Sequence, residues 1–204
     1  MPVSPATGTI AYDIRGKRYL NITSHCNLRC RFCPKFNGRW DVQSYRLKLR
    51  GEPDCSQVLE AIGDPAPADE IVFCGLGEPT RRLHTLLQVS EAMQARDKPV
   101  RINTDGLANL YHGLDITPRL KGRVDALSIS LNAQDEELYN AHCRPLRQGS
   151  YGAMLEFIER AVDQVPEVTV TAIDGLPGVD IEACAEIANR LGARFRRRIL
   201  DQVG

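Results

Sequence analysis

The chain has 204 residues, of which 43% are hydrophobic and 25% are charged, as expected for a folded domain with a substantial core. Its 26 basic and 26 acidic residues give a formal net charge of +0, so no overall field favours nucleic acid or a membrane surface. The sequence shows no signal peptide and no apolar run that could span a bilayer, which predicts a cytoplasmic protein with no membrane partner.

The first predicted element is a β-hairpin, interpreted as an N-terminal extension over residues 1–17. Residues 9–14 and 18–23 have strand character and flank Arg15-Gly16-Lys17, where Gly16 supplies the turn. A cysteine-rich stretch follows, and then an insert, residues 34–53, that contains the single tryptophan. Within the insert, residues 45–50 alternate apolar and basic side chains, which predicts a half-buried strand.

From residue 54 onwards, predicted helices alternate with predicted strands, and this pattern is typical of βα units around a parallel sheet. The expected strands are residues 70–74, 100–103, 125–132, 168–173 and 194–200. The expected helices are residues 54–62, 82–96, 117–120, 135–139, 151–165 and 181–191. Five or six such units are too few for a complete eight-fold barrel. We therefore predict an α/β fold, a partial (β/α)6-type barrel with a curved parallel sheet after a short N-terminal β-hairpin, in a single domain over residues 1–204.

Three cysteines, Cys26, Cys30 and Cys33, stand in Cys-x3-Cys-x2-Cys spacing directly after the strand of residues 18–23. In a reducing compartment such a group indicates metal binding or catalysis rather than disulfides. Three thiolates on one loop can hold three irons of a [4Fe–4S] cluster and leave the fourth iron open to another ligand. Two other interpretations stay open: a zinc site that recruits His25, and a thiol redox pair of Cys30 and Cys33. Simple packing cysteines fit poorly with the polar residues between them.

Polar and glycine residues follow several of the predicted strands. Residues Gly75-Leu76-Gly77-Glu78-Pro79 leave one strand, Asn103 ends the next, and Ser130 and Asn132 end the one after. Because function in parallel α/β folds gathers at the carboxyl ends of the strands, these residues are expected to converge there with the cysteines. Each alone has a plainer explanation, since glycine-rich turns and strand-end asparagines are common.

The cysteine stretch, with Phe32 before its last cysteine, together with residues 75–79 after the next strand, resembles the radical S-adenosylmethionine (radical SAM) superfamily. More narrowly, residues 32–35, 101–109 and 168–174 resemble the small radical SAM proteins that are associated with TatD-family nucleases. The 7-carboxy-7-deazaguanine synthases, which are similarly short, are the alternative group within the superfamily.

The resemblance implies roles for particular residues. Cys26, Cys30 and Cys33 would bind three irons of one [4Fe–4S] cluster, and the amino and carboxylate groups of S-adenosylmethionine would bind the fourth iron. The S-adenosylmethionine site would consist of two sets of residues. The first set, which would receive the amino group, is Gly75, Leu76, Gly77 and Glu78. The second set, which would hold ribose or carboxylate, is Asn103, Ser130 and Asn132.

The resemblance also implies an activity and partners. Reductive cleavage of S-adenosylmethionine would give a 5′-deoxyadenosyl radical, which abstracts hydrogen from an unknown substrate that is small or modular. The expected electron donor is a protein such as flavodoxin or ferredoxin, and a TatD-family nuclease is an expected functional partner. An anionic substrate is favoured by three basic groups, which are Arg46, Lys48 and Arg50; Arg81 and Arg82; and Arg194 with Arg196, Arg197 and Arg198.

Overall fold

The computed structural model of the protein describes residues 8–200, and a sheet of seven strands organises them. The strands, in chain order, are β1 (Ala11–Ile14), β2 (Lys17–Leu20), β3 (Asp41–Val42), β4 (Tyr45–Arg46), β5 (Ile71–Phe73), β6 (Val100–Thr104), β7 (Ala126–Ser130), β8 (Glu167–Asp174) and β9 (Arg194–Ile199). The helices are α1 (Cys55–Ile62), α2 (Leu83–Gln94), α3 (Ala108–His112), α4 (Thr117–Leu120), α5 (Glu136–Cys143), α6 (Ser150–Ala161) and α7 (Ile181–Arg190). Short 3-10 helices cover Pro34–Asn37 and Pro79–Arg82.

The large sheet has the order β1-β2-β5-β6-β7-β8-β9. Only β1 pairs antiparallel with its neighbour, and the six strands from β2 to β9 in this order are parallel. The predicted α/β fold with a partial barrel and an N-terminal hairpin is therefore confirmed. The single-domain prediction stays a prediction, because residues 1–7 and 201–204 lie outside the described range.

The hairpin forms where the sequence predicts it. Arg15 and Gly16 have φ angles of 49° and 75°, and two successive positive φ angles are what a two-residue type I′ turn requires. Later elements begin at acidic caps, since the side chains of Asp54, Asp135 and Asp180 accept hydrogen bonds from the first turns of α1, α5 and α7. These caps explain why the predicted starts of those helices agree with the structure.

The two faces of the sheet differ in character. One face carries Leu20, Phe73, Ile102 and Ile129, which are buried against the helices. Residues that alternate with these point to the opposite face, which we call the inner face. Where the inner face is crossed by β1, β2 and β5 it is apolar, and a small cluster around Tyr19 covers it. From β6 to β9 the inner face carries polar and charged side chains instead, so it has the character of a site rather than a core.

The insert differs from its prediction. The expected strand over residues 45–50 is wrong beyond Arg46, because only β3 and β4 pair, as a two-stranded ribbon. The chain then leaves the ribbon so that Leu47 can be fully buried in the cluster around Tyr19, while the ammonium group of Lys48 lies 5.5 Å from the centre of the Trp40 ring. The insert therefore covers the inner face beside β2 and leaves the inner face of β6 to β9 uncovered by it.

Three smaller differences concern element ends. Helix α3 has no counterpart among the predicted helices, β7 ends at Ser130 rather than at residue 132, and α2 ends at Gln94. In the part of the chain that the structure describes, no helix is both long and apolar enough to cross a membrane.

Candidate cluster and cofactor site

The cysteine loop leaves the carboxyl end of β2, as predicted. The residues Cys26, Cys30 and Cys33 are each partly exposed, while Leu28 between them is buried in the main core and anchors the loop. Within residues 8–200, no three His, Cys, Asp or Glu side chains converge closely enough to share one metal ion. The loop thus presents three separated thiols from one anchored turn.

A distant segment of backbone braces the loop. The amide of Arg29 donates to the carbonyl oxygens of Cys143 and Arg144 at 3.0 and 3.2 Å, and the amide of Arg31 donates to that of His142 at 2.9 Å. In return, the amide of Leu146 donates to the Asn27 carbonyl at 3.0 Å. Helix α5 ends here, and its last carbonyl groups, which have no partner inside the helix, are the ones that accept from the loop. The end of α5 therefore fixes the backbone between the cysteines.

The glycine turn after β5 holds the other side of the cysteine loop. A Cβ atom at Gly77 would collide with the Thr23 carbonyl and lie 2.8 Å from that of His25, and one at Gly75 would collide with the Asn21 side chain. The amide of Glu78 donates to the His25 carbonyl at 2.7 Å. Gly77 is thus required by the close approach of two backbone segments, and Gly75 by the buried Asn21 side chain, whereas the sequence alone suggests an approach to a ligand.

The Glu78 side chain is buried and serves the structure of the turn. Its Oε1 accepts from the amide and hydroxyl of Thr80 at 3.0 and 2.7 Å and from the Thr104 hydroxyl at 2.8 Å, and its Oε2 accepts from the Asp105 amide at 2.7 Å. Burial, and then the charge of Glu78, raise the pKa of the neighbouring Asp105 well above its usual range. A protonated Asp105 carries an O–H donor, which suits its position beside the Glu78 carboxylate.

Several polar atoms at the strand ends have no partner within the described part of the protein. The side-chain oxygens of Asn103 and Asn132 are buried and accept no hydrogen bond, although Asn132 Nδ2 lies 3.7 Å from Cys143 Sγ. The carbonyl oxygens of Leu76 and Gly77 likewise accept none. Leu76 and Gly77 are partly exposed, so their carbonyl oxygens are open to solvent or to a ligand. Buried polar atoms without partners are uncommon in folded proteins, so the two asparagine oxygens mark places where a polar ligand fits. Ser130 lies partly exposed at the end of β7.

Sequence reasoning missed the position of a fourth cysteine. Cys143 at the end of α5 is fully buried, and its thiol lies within hydrogen-bonding reach of Cys30. The hydrogen bond with Cys143, together with burial, raises the pKa of the Cys30 thiol. Burial also raises the pKa of Cys26 to about 12, with smaller contributions from Asp105 and Glu78. No sequence spacing signals this contact, because it arises only when α5 packs against the loop.

His25 is turned away from the cysteines. Its ring is 70% exposed, and Nδ1 lies 3.0 Å from Oε1 of Glu52, which also pairs with Arg82 at 2.9 Å. The geometry therefore gives His25 a place in a surface ion-pair group rather than beside the three thiols. Arg81 is likewise engaged, because its guanidinium lies 4.4 Å from the centre of the Tyr111 ring and donates to Asn27 Oδ1 at 3.0 Å.

Comparison with known proteins identifies a curated relative and solved structures of similar fold. A GTP 3′,8-cyclase of Corynebacterium glutamicum (strain R) is 26% identical over 196 residues, which are 93% of this chain and 49% of that protein. The chain thus spans about half the length of this curated relative. TYW1 with a lysine-pyruvate adduct bound has a TM-score of 0.64 at 13% identity, over 92% of this chain and 66% of that one.

A second solved structure is similar to the same extent. SuiB of Streptococcus suis, bound to its precursor peptide SuiA, has a TM-score of 0.64 at 15% identity, over 88% of this chain and 38% of that one. At such identities the likeness shows the fold alone. The family model described as the Radical SAM superfamily matches residues 20–191, from the end of β2 to the end of the last helix. The chain therefore belongs to the radical SAM superfamily.

Proposed function

We propose that the protein is a radical SAM enzyme that binds one [4Fe–4S] cluster through Cys26, Cys30 and Cys33. The observation that carries the proposal is the placement of three partly exposed cysteine residues on one braced loop, beside unpartnered polar atoms at the ends of neighbouring strands. When bound, the cluster and S-adenosylmethionine supply a reductive cleavage that yields a 5′-deoxyadenosyl radical, which abstracts hydrogen from a substrate. The protein's own part is to hold the cluster, to orient S-adenosylmethionine and the substrate, and to exclude water from the site.

The residues proposed for S-adenosylmethionine divide into those that contact it and those that position the turn. Among the contacts, the free carbonyl oxygens of Leu76 and Gly77 suit an ammonium group, which only donates hydrogen bonds. The orphan oxygens of Asn103 and Asn132 and the hydroxyl of Ser130 suit ribose hydroxyls or a carboxylate. The positioning residues are Gly75, which leaves room for the Asn21 side chain, and Glu78, whose carboxylate already accepts four hydrogen bonds from Thr80, Thr104 and Asp105.

Cys143 is proposed to support the cluster loop rather than to bind iron. Cys143 is fully buried, whereas the three loop cysteines are partly exposed residues. Three protein thiolates also leave one iron open, which is what a site for S-adenosylmethionine needs.

The test is an anaerobic reconstitution with iron and sulfide. Dithionite and S-adenosylmethionine are then added, and 5′-deoxyadenosine is measured by chromatography with mass detection. Cys30→Ala is the test variant, and Cys55→Ala is the matched control, because Cys55 begins α1 away from the loop. We expect about four irons per chain and nucleoside formation in the wild type and the control, and neither in Cys30→Ala.

Other outcomes would overturn the proposal. Tight zinc in place of iron after anaerobic purification would favour a structural zinc site. A reversible disulfide between Cys30 and Cys33 that persists with full function in Cys26→Ala would favour a thiol redox protein.

Within the superfamily, we propose that the protein belongs with the small members associated with TatD-family nucleases, and that such a nuclease is its functional partner. The support is the sequence resemblance of residues 32–35, 101–109 and 168–174. The proposed electron donor is flavodoxin or ferredoxin, and a cytoplasmic location agrees with cysteines that are all free. Formation of 7-carboxy-7-deazaguanine would instead assign the protein to the alternative group.

A further inference from the structure

Strand β9 carries four arginines in five residues, and the sheet register separates them onto two faces. Arg196 lies opposite Thr171 of β8, and Arg198 lies opposite Ile173. Because Thr171 in turn lies opposite Ser130 of β7, both arginines share the inner face with the proposed cofactor residues. Arg197, between them, points to the other face.

The ion pairs of these arginines are unequal. Arg194 pairs with Glu167 at 3.0 Å, and Arg197 pairs with Asp174. No carboxylate within residues 8–200 lies at ion-pair distance from Arg196 or Arg198, and Arg196 donates only to the Ser128 hydroxyl, at 3.3 Å. The two arginines nearest the carboxyl end of the inner face are thus the two without a compensating charge.

Arg198 is also partly withdrawn from water. Burial, with a smaller contribution from Arg196, lowers the pKa of its guanidinium, while Cys74 and Cys30 act in the opposite direction. Arg196 is exposed and Arg198 is partly buried. The two like charges on the same face of one strand repel each other, and an anion bound between them would offset that repulsion.

The other basic residues near the site already have partners. Arg101 on the inner face pairs with Glu70 at 3.0 Å, Arg82 pairs with Glu52, and Arg81 stacks on Tyr111. Lys48 of the insert lies against Trp40. This leaves Arg196 and Arg198 as the basic pair on the described part of the inner face that is free to bind a ligand.

We propose that Arg196 and Arg198 bind an anionic group of the substrate, a phosphate or a carboxylate, and so hold the substrate on the inner face opposite the cysteine loop. That the ligand is a substrate rests on the proposed radical SAM function, but the anion site itself does not. Planar guanidinium groups form paired hydrogen bonds with both phosphate and carboxylate, and two adjacent ones select for multiply charged anions.

Binding of inorganic pyrophosphate and of citrate to the full-length protein tests the proposal, by titration calorimetry at low salt. Arg196→Ala/Arg198→Ala is the test variant. Arg197→Ala is the matched control, since it removes positive charge from the same strand on the other face. We expect the double variant to weaken binding of the preferred anion at least about tenfold and the control to weaken it less than about twofold. Iron content and S-adenosylmethionine cleavage are measured on all three proteins and are expected to be unchanged.

The outcomes separate the two claims. Stronger binding of pyrophosphate would indicate a phosphorylated substrate, and stronger binding of citrate would indicate a polycarboxylate. Either result supports an anion site at Arg196 and Arg198 if the double variant no longer binds that anion. Equal losses of anion affinity in the double variant and in Arg197→Ala would overturn the anion site at Arg196 and Arg198, as would a wild type that binds neither anion. Neither result would count against the proposed cluster chemistry. Failure of cleavage in the wild type, with anion binding intact, would instead count against the proposed function.

Discussion

Replacement of Glu78 by glutamine should destabilise the protein even though the side chain keeps its shape. The carbonyl oxygen of the glutamine can take over the role of Oε1, which accepts three hydrogen bonds from Thr80 and Thr104. The new amide group then faces the backbone N–H of Asp105, which donates to Oε2 at 2.7 Å in the wild type. Two donors now oppose each other in a buried place.

The magnitude follows from these four hydrogen bonds. A buried N–H group that loses its acceptor costs about 1–3 kcal/mol, and three hydrogen bonds that pass from a charged to a neutral acceptor lose about 0.5 kcal/mol each. Together these contributions predict a decrease in the free energy of unfolding of about 2.5–4.5 kcal/mol. For a chain of this length that corresponds to a fall in Tm of roughly 5–18 °C.

The measurement is urea unfolding of the wild type, of Glu78→Gln and of a control, Glu91→Gln. Glu91 is exposed and pairs with Arg123 at the surface, so its replacement should change the free energy of unfolding by less than about 0.5 kcal/mol. If Glu78→Gln unfolds at the same urea concentration as the control, with the same m value, the Glu78 carboxylate does not stabilise the turn and the reasoning is refuted.

Three further changes test other parts of the site. Burial and Glu78 raise the pKa of Asp105, so the folded protein keeps a proton that the unfolded chain releases above about pH 4. The free energy of unfolding should therefore fall as pH rises from there, and Asp105→Asn should become more stable relative to the wild type over that range. A difference in free energy between the two proteins that does not change with pH would contradict the raised pKa. Gly77→Ala should lower both stability and iron incorporation, because its Cβ meets fixed backbone, while Gly152→Ala, with open space in α6, should be neutral or stabilising by up to about 1 kcal/mol in the same unfolding and iron assays. Cys143→Ala should keep about four irons per chain on reconstitution, and a loss of iron equal to that in Cys30→Ala would make Cys143 a ligand.

Sequence patterns predict the frame of the molecule because strands and helices are encoded locally. The alternation of apolar runs and capped helices predicts the parallel sheet, and the spacing of Cys26, Cys30 and Cys33 correctly locates a loop at the end of β2. The convergence of strand ends follows from topology alone, so Asn103 and Ser130 can be assigned to the same edge of the sheet from the sequence.

Contacts between distant segments are what the sequence does not reveal. The proximity of Cys143 to Cys30 depends on how α5 packs, and the burial of Leu47 depends on the tyrosines of other strands. The distinction between Arg196 and Arg197 is also hidden, because four clustered arginines look alike until the register of β9 and the positions of the acidic partners are known.

The brace between the cysteine loop and the end of α5 has a consequence for biogenesis. The loop leaves the ribosome early, whereas the carbonyl groups that order it, at His142, Cys143 and Arg144, are synthesised only after β5, β6 and β7. Until these residues have been made, the amides of Arg29 and Arg31 lack their acceptors, so this brace is absent from the nascent chain. We therefore expect stable cluster insertion only after most of the sheet has been synthesised.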